Sequence, residues 1–431
     1  MASTMHTEEL ALFSTPPTNS GIQRTQWINY FPVSQSLSDG PIEYYIAPNS
    51  IHYVDLFRTK LHVKAKIELV SGAKLGPNDK VAFVNLPLHS LWSQVDVYLQ
   101  QQAVSTGVGS NYPIKAYLET LFGYGEDAKE SKLTSALYYA DSGNSDETDP
   151  ITGSNIGLVQ RWTHTKNSAV VDMQGHIHHD LCSQRRLILN STAIGLKFWQ
   201  SKDPFRLMTA EKTKTYKVTL LDVHLKVAKV SLAPQVLVAH NQVLASTNAK
   251  YPYKQTQIKV FNISERQFSA IFEDPFNGHC PCRLMVALTS AKAYSGHFEK
   301  NPFNLKHYNT SLIGFYKDGV SIPSAPIHLD FENNQYIEAY QSIFQAMGKD
   351  RGDVGNELDR LQYKAGHTAF GFLVQPDAAT DLEYWPVESK GQTRFEIKFS
   401  KPLPEAAVII FYGVFPGLLE IDCDRNVIQH S

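Results

Sequence analysis

Leu61-His62-Val63-Lys64-Ala65-Lys66-Ile67-Glu68-Leu69 places an apolar side chain at every odd position and a polar one at every even position. Successive side chains of a strand point to opposite faces, so a period of two predicts a half-buried β-strand. The alternation returns at Val223, Leu225 and Val227 against His224 and Lys226, and again at Phe395, Ile397 and Phe399 against Glu396 and Lys398. Shorter β-rich runs occupy 81–84, 95–99, 187–194, 284–288, 312–316, 369–374 and 408–415. Turn signals fall between runs, at Asp39-Gly40, Gly76-Pro77-Asn78-Asp79, Asp318-Gly319 and Lys390-Gly391. Many short strands punctuated in this way predict an all-β sandwich or barrel class.

Two stretches read as helices, 114–122 and Ile337–Met347, and they resemble each other. Ile114, Ala116, Tyr117, Leu121, Gly125 and Asp127 match Ile337, Ala339, Tyr340, Phe344, Gly348 and Asp350 at a constant offset of 223 residues (339 − 116). Each follows a strand and a turn, Val104-Ser105 in one case and Val320-Ser321 in the other, which is the signature of a duplicated unit. A boundary is expected near Ala233-Pro234, with a helix over 235–245 joining the copies. The opening residues, centred on Ser14-Thr15-Pro16-Pro17-Thr18-Asn19-Ser20-Gly21, bury too little apolar surface to offset ordering and read either as an arm that orders against a partner or as a floppy terminus with no role. The expected organisation is a flexible arm at 1–38, a first sandwich at 39–232, a linker helix at 233–249 and a second sandwich at 250–431.

Composition narrows function. The chain has 431 residues, 40 Lys+Arg against 42 Asp+Glu and a net charge of −2, which argues against a dedicated nucleic-acid binder. Charged residues are only 19%, against about 25% in an average soluble protein, and aromatics reach 11%, a balance suited to a surface partly covered by other protein. Four cysteines are too few for a disulfide scaffold, and the opening lacks the pattern of a secretory signal. The apolar run 406–415 is too short to span a bilayer as a helix.

Chemistry-bearing motifs are weak. The G-x-S-x-G elbow, the phosphate loop and the dinucleotide fingerprint do not occur, so neither catalysis nor a cofactor is expected. His176-Ile177-His178-His179-Asp180, with Cys182, is the best metal candidate, since His176 and His178 would share one face of a strand. The competing reading, a polar strand edge, is favoured because convergence of three ligands is not visible in sequence. Cys280 and Cys282 read as two reduced thiols in a turn. Arg351-Gly352-Asp353 spells an integrin-type tripeptide after the second helix, a receptor-binding candidate weighed against a plain solvated loop. Sequons at Asn190, Asn262 and Asn309 matter only in the secretory pathway.

Several ordered segments resemble one family. Gly40-Pro41-Ile42-Glu43-Tyr44-Tyr45-Ile46, Tyr53-Val54-Asp55-Leu56 and Thr59-Lys60-Leu61 are similar to the opening of the major capsid proteins of Polinton/Maverick elements and adintovirus-like viruses. The likeness continues through residues 89–97, 112–119 and Asp203-Pro204-Phe205-Arg206-Leu207-Met208, and is most recognisable at Asn301-Pro302-Phe303-Asn304-Leu305-Lys306-His307 followed by Asp318-Gly319. The resemblance implies a hexon-type double jelly-roll, two tandem eight-stranded β-sandwiches with a few short helices in loops. It further implies homotrimers forming pseudo-hexagonal capsomers, contacts with neighbouring capsomers and with penton or minor capsid proteins, and an icosahedral shell around double-stranded DNA. The implied location is the virion, assembled in a host compartment, nucleus or cytoplasm, that the sequence does not specify. Non-specific contact with packaged DNA stays open, and no membrane span is expected. The alternatives are a minor or vertex (penton-type) capsid protein, a domesticated capsid descendant, and a carbohydrate-active β-sandwich protein, which would need converging carboxylates that no motif supplies.

Overall fold

The computed structural model describes residues 20–430 apart from 35, 38–39, 105–106, 352 and 376–385. The first half carries β1 (Ile22–Tyr30), β2 (Ile42–Ile46), β3 (His52–Leu69), β4 (Ala82–Phe83), β5 (Trp92–Leu99), β6 (Gln102–Val104), β7 (Val171–His176), β8 (Ile194–Gln200), β9 (Leu207–Met208) and β10 (Tyr216–Leu232). The second half carries β11 (Ala249–Ile263), β12 (Ser269–Glu273), β13 (His279–Cys280), β14 (Arg283–Ser290), β15 (Thr310–Lys317), β16 (Val320–His328), β17 (Ala369–Leu373), β18 (Ser389–Lys390), β19 (Thr393–Phe399), β20 (Ala407–Ile421) and β21 (Val427–His430).

Pairing repeats between the halves. The first builds two four-stranded sheets, β1-β10-β3-β7 and β2-β8-β5-β6. The second builds β11-β20-β14-β17, extended by β21, and β12-β19-β15-β16. Counting the sheet strands of each half in chain order, both give first-eighth-third-sixth in one sheet and second-seventh-fourth-fifth in the other. Two sheets with that order, all antiparallel, are a jelly-roll, and the molecule is two of them in tandem. Among the described residues every strand pairing stays within one half.

The quoted alternation is the centre of this plan. In β3, Leu61, Val63, Ala65 and Ile67 are wholly buried while His62, Lys64 and Lys66 lie on the outer face. Val223, Leu225 and Val227 of β10 and Phe395, Ile397 and Phe399 of β19 are buried likewise. The two sequence-matched helices, Tyr112–Gly123 and Ile337–Met347, each lie between the fifth and sixth sheet strands of their roll, so the duplication extends to the connections. A third helix, Pro234–Leu244, bridges β10 and β11.

Two expectations are corrected. Part of the segment read as a flexible arm is a strand: β1 pairs antiparallel along β10 from Ile22↔Leu232 to Tyr30↔Leu225, while residues 1–19 lie outside the described set. The run 187–194 is not a strand. Ile188 makes one isolated bridge to Val54, Ser191 takes φ +59°, and regular pairing starts only at Ile194.

Candidate functional site: the seam between the rolls

The helix Tyr112–Gly123 opens with Pro113 in its first turn and buries apolar residues on nearly every side. Lys115 and Glu119, one turn apart, are its charged exceptions. Lys115 Nζ lies 2.6 Å from Glu119 Oε1 and 2.9 Å from Asp180 Oδ1, with both the Lys115 and Asp180 side chains almost fully buried. His178 Nδ1 meets Glu119 Oε2 at 2.7 Å. The second roll completes the cluster: the Tyr412 hydroxyl donates to Glu119 Oε1 at 2.9 Å, and the Thr256 amide donates to Asp180 Oδ2 at 2.8 Å. A cavity of about 190 Å³ adjoins these groups.

Desolvation alone would discharge such groups, yet their mutual contacts reverse it. Burial disfavours the Lys115 ammonium, but Asp180 and Glu119 outweigh it and hold its pKa well above the ordinary value. Burial likewise opposes the Glu119 carboxylate, and Lys115 and His178 overcome it, holding its pKa far below the usual range. His89, which contacts Tyr112 Oη through Nδ1 at 2.9 Å, is pushed well below the usual histidine value, chiefly by burial. Neither Lys115 nor Glu119 therefore sits near the pH where a general acid or base is effective. The arrangement is chemically a clamp.

A second cluster binds the rolls through the most recognisable sequence stretch. Asn301 Nδ2 donates to Asp141 Oδ2 at 2.9 Å and to the Ser145 carbonyl at 3.0 Å. The buried Arg161 holds Asp141 from the other side, Nη2 to Oδ1 at 2.6 Å, and also donates from Nε to the Phe83 carbonyl and from Nη1 to the Tyr139 carbonyl. Phe303 stacks on Tyr117 at 4.3 Å and meets Phe205 edge-on at 6.1 Å. The Asp203-Pro204-Phe205 and Asn301-Pro302-Phe303 segments thus meet at the seam.

The matched helices also touch each other's surroundings. Lys349, just past the second helix, donates to the Gly123 carbonyl at the end of the first at 2.6 Å, where a cation favours the helix dipole. Lys129 donates in the opposite direction, to the Asn356 carbonyl at 2.6 Å. Gly107 accepts from the Ile258 amide at 3.1 Å, and a Cβ there would fall 2.8 Å from the Thr256 carbonyl oxygen, so only glycine allows this approach.

The candidates from sequence separate. His176 ends β7 and is exposed, His178 turns to Glu119, and His179 caps the short helix Asp180–Ser183 with Nδ1 facing the Leu181 amide at 3.3 Å. Only His178 among the three joins the seam cluster, and the three imidazoles do not converge on a metal. Cys182 is buried, which pushes its thiol up to about 12, and Cys280 and Cys282 are raised to about 11 by burial. Arg351 and Asp353 are exposed, and Gly352 lies outside the described residues. Asn190 is buried against Ser50 and Arg425, leaving no room for a glycan. Arg161 went unnoticed in the sequence, although a cation on the buried Leu158, Arg161, Thr165 stripe of its helix was a usable signal.

No family model matches the chain. A Caenorhabditis elegans protein, uncharacterized protein F54H12.2, is 27% identical over 434 residues, covering 96% of this chain and 99% of that protein. Among solved structures, a chain in the cryo-EM structure of the Sputnik virophage matches with TM-score 0.61 at 12% identity, covering 100% of this chain and 93% of that one. The Faustovirus major capsid protein matches with TM-score 0.58 at 8% identity, over 95% and 92% of the two chains. The mavirus major capsid protein matches with TM-score 0.53 at 12% identity, over 100% and 95%. No helix among the described residues is long and apolar enough to cross a membrane. At these identities the likeness is one of fold: this chain has the double jelly-roll architecture that viral major capsid proteins also have.

Proposed function

We propose that this chain is a major capsid protein of a Polinton/Maverick-type element or a related virus, a structural subunit with no catalytic role. The observation that carries this is the tandem pair of like rolls joined into one body by a buried, charge-paired seam. Three such chains around a threefold axis present six similar lobes, the outline of a pseudo-hexagonal capsomer that tiles an icosahedral shell around double-stranded DNA. Trp27, Phe31, Tyr45 and Trp199 of the first roll and Phe268 and Val320 of the second are exposed, giving apolar surface for homotrimer, capsomer and penton contacts. The full-length worm relative favours an origin in an animal genome, and with it the second reading of a domesticated descendant that keeps the fold.

Residues 22–232, with β1 included, and 249–431 are taken as the rolls, with the helix Pro234–Leu244 between them. The exposed Arg351 and Asp353 are read as a receptor contact on the assembled particle, testable by integrin binding that Asp353→Ala removes. The main test is the solution mass of the purified chain by light scattering, with negative-stain imaging of the same peak. A stable species of three chains with pseudo-hexagonal outlines is expected. A monodisperse monomer at high concentration would overturn self-assembly as the function.

A further inference from the structure

On the outer face of the first roll, His62 of β3 lies directly opposite His224 of β10, and their rings stack at 4.3 Å. Asp222 lies two residues before His224 on the same strand, so it shares that face. Its Oδ2 is 3.1 Å from His224 Nδ1 and 3.9 Å from His62 Nδ1. The far side of the His62 ring is held as well: Nε2 lies 2.7 Å from Asp172 Oδ1 of the neighbouring strand β7. That contact makes Nε2 the protonated nitrogen of a neutral His62, so Nδ1 presents a bare lone pair. His62 Nδ1 is buried and has no hydrogen-bond partner.

We propose that His62, Asp222 and His224 form a binding site for one zinc-class divalent cation, with Asp172 orienting His62 from the outer shell. One ligand atom from each of the three lies within 4.8 Å of the other two. Tetrahedral bonds of about 2.1 Å place neighbouring ligand atoms about 3.4 Å apart, a spacing the 3.1 and 3.9 Å separations bracket. Two imidazoles and a carboxylate suit a borderline-soft cation and leave a fourth position for water. A carboxylate on the far ring nitrogen is the usual partner of a metal-bound histidine, because it fixes both tautomer and ring orientation. Lys64 is in register with both Asp172 and Asp222, so this patch of the face sets two carboxylates against one lysine, a net negative setting that favours a cation. The cation would take the place of the His224 Nδ1 proton and fill the gap that His62 Nδ1 faces. Such a site ties β3 to β10 across the face of the sheet. It belongs to one roll and stands independently of the assembly reading.

The test is calorimetric titration of the chelator-treated full chain with Zn²⁺ alone, with Co²⁺ absorption reporting coordination geometry. One equivalent of Zn²⁺ per chain is expected, with a tetrahedral Co²⁺ spectrum. His62→Ala and His224→Ala should each abolish saturable uptake, and Asp172→Asn should weaken it about 10–100-fold. His297→Ala, in the second roll, should leave it unchanged. All variants are outward-facing, and equal melting of the metal-free proteins confirms that folding is intact. Uptake that survives in the His62→Ala/His224→Ala double variant overturns the proposal. So does an absence of saturable uptake with His62 carrying two ring protons by NMR, which would make the cluster an imidazolium bridge between Asp172 and Asp222.

Discussion

In the second roll, Phe395 stands edge-to-face against Phe372 at 5.9 Å and Phe411 at 5.1 Å, and Phe411 passes the contact on to Phe261 and Phe272. In the first roll, the corresponding strand β8 buries Ile194, Leu196 and Phe198, and β3 of the other sheet buries the aliphatic Leu61, Val63, Ala65 and Ile67. One interior is largely a phenylalanine lattice, the other mostly branched and straight-chain aliphatics, yet strand order is identical. The difference shows that strand alternation and turn placement set the topology, while core identity needs only volume and apolarity. Function divides along the same line. The first roll's connection between β6 and β7 supplies Lys115, Glu119, Asp141 and Arg161 to the seams, whereas the second contributes residues from separate elements, such as Tyr412, Asn301 and Thr256.

The strongest way to break the comparison is Lys115→Ala. It leaves the Glu119 and Asp180 carboxylates buried without their cation and should cost about 3–5 kcal/mol. Because the cluster spans both rolls, faster proteolysis between residues 233 and 249 should accompany the lowered melting temperature. Unchanged proteolysis would show that the rolls dock without this pair.

Next come matched core truncations. Leu196→Ala should cost about 2–4 kcal/mol, and Phe395→Ala should lie at or above the top of that range, since edge-to-face pairs add about 0.5–1.5 kcal/mol beyond burial. Both should lower one shared unfolding transition in calorimetry. Two separated transitions would mean that the seam does not couple the rolls.

The smallest effect is that of pH. His179 beside the seam and His307 in the second roll are held at about 4, in each case mainly by burial, against an ordinary value near 6.5. The unfolded chain therefore binds more protons between those values, and stability falls as pH drops from about 6.5 toward 4, by at most about 2.5 kcal/mol per histidine near pH 4.5. Thermal melts across this window read the loss directly. His307→Phe should remove the His307 share of it while leaving that of His179 in place.

Legibility follows the range of the interaction. The Leu61–Leu69 strand and the matched helices were readable because their patterns are complete within a dozen residues. β1 was hidden because it is an edge strand, exposed along most of its length, so its sequence IQRTQWINY lacks a buried stripe. The run 187–194 misled because Leu187, Ile188 and Leu189 look like a strand, while the turn at Asn190-Ser191 breaks it and Tyr251 of the second roll supplies its partner. At the seam, the residues from His178 to Asp180 attracted notice for the wrong chemistry. Their partners Glu119 and Thr256 lie in other elements, Thr256 76 residues from the aspartate it contacts, and Tyr412 reaches the same glutamate across 293 residues, a meeting that no local spacing reports. The same applies to His62 and His224, which read only as the polar half of two strands.

The contacts exchanged between the two rolls have the composition of a subunit interface, but a linker helix makes them intramolecular. Their occupancy is thus indifferent to dilution, while every contact between separate chains weakens as concentration falls. A larger assembly of this chain should come apart first between chains, releasing two-roll units that keep their seam shut and can be used again without refolding.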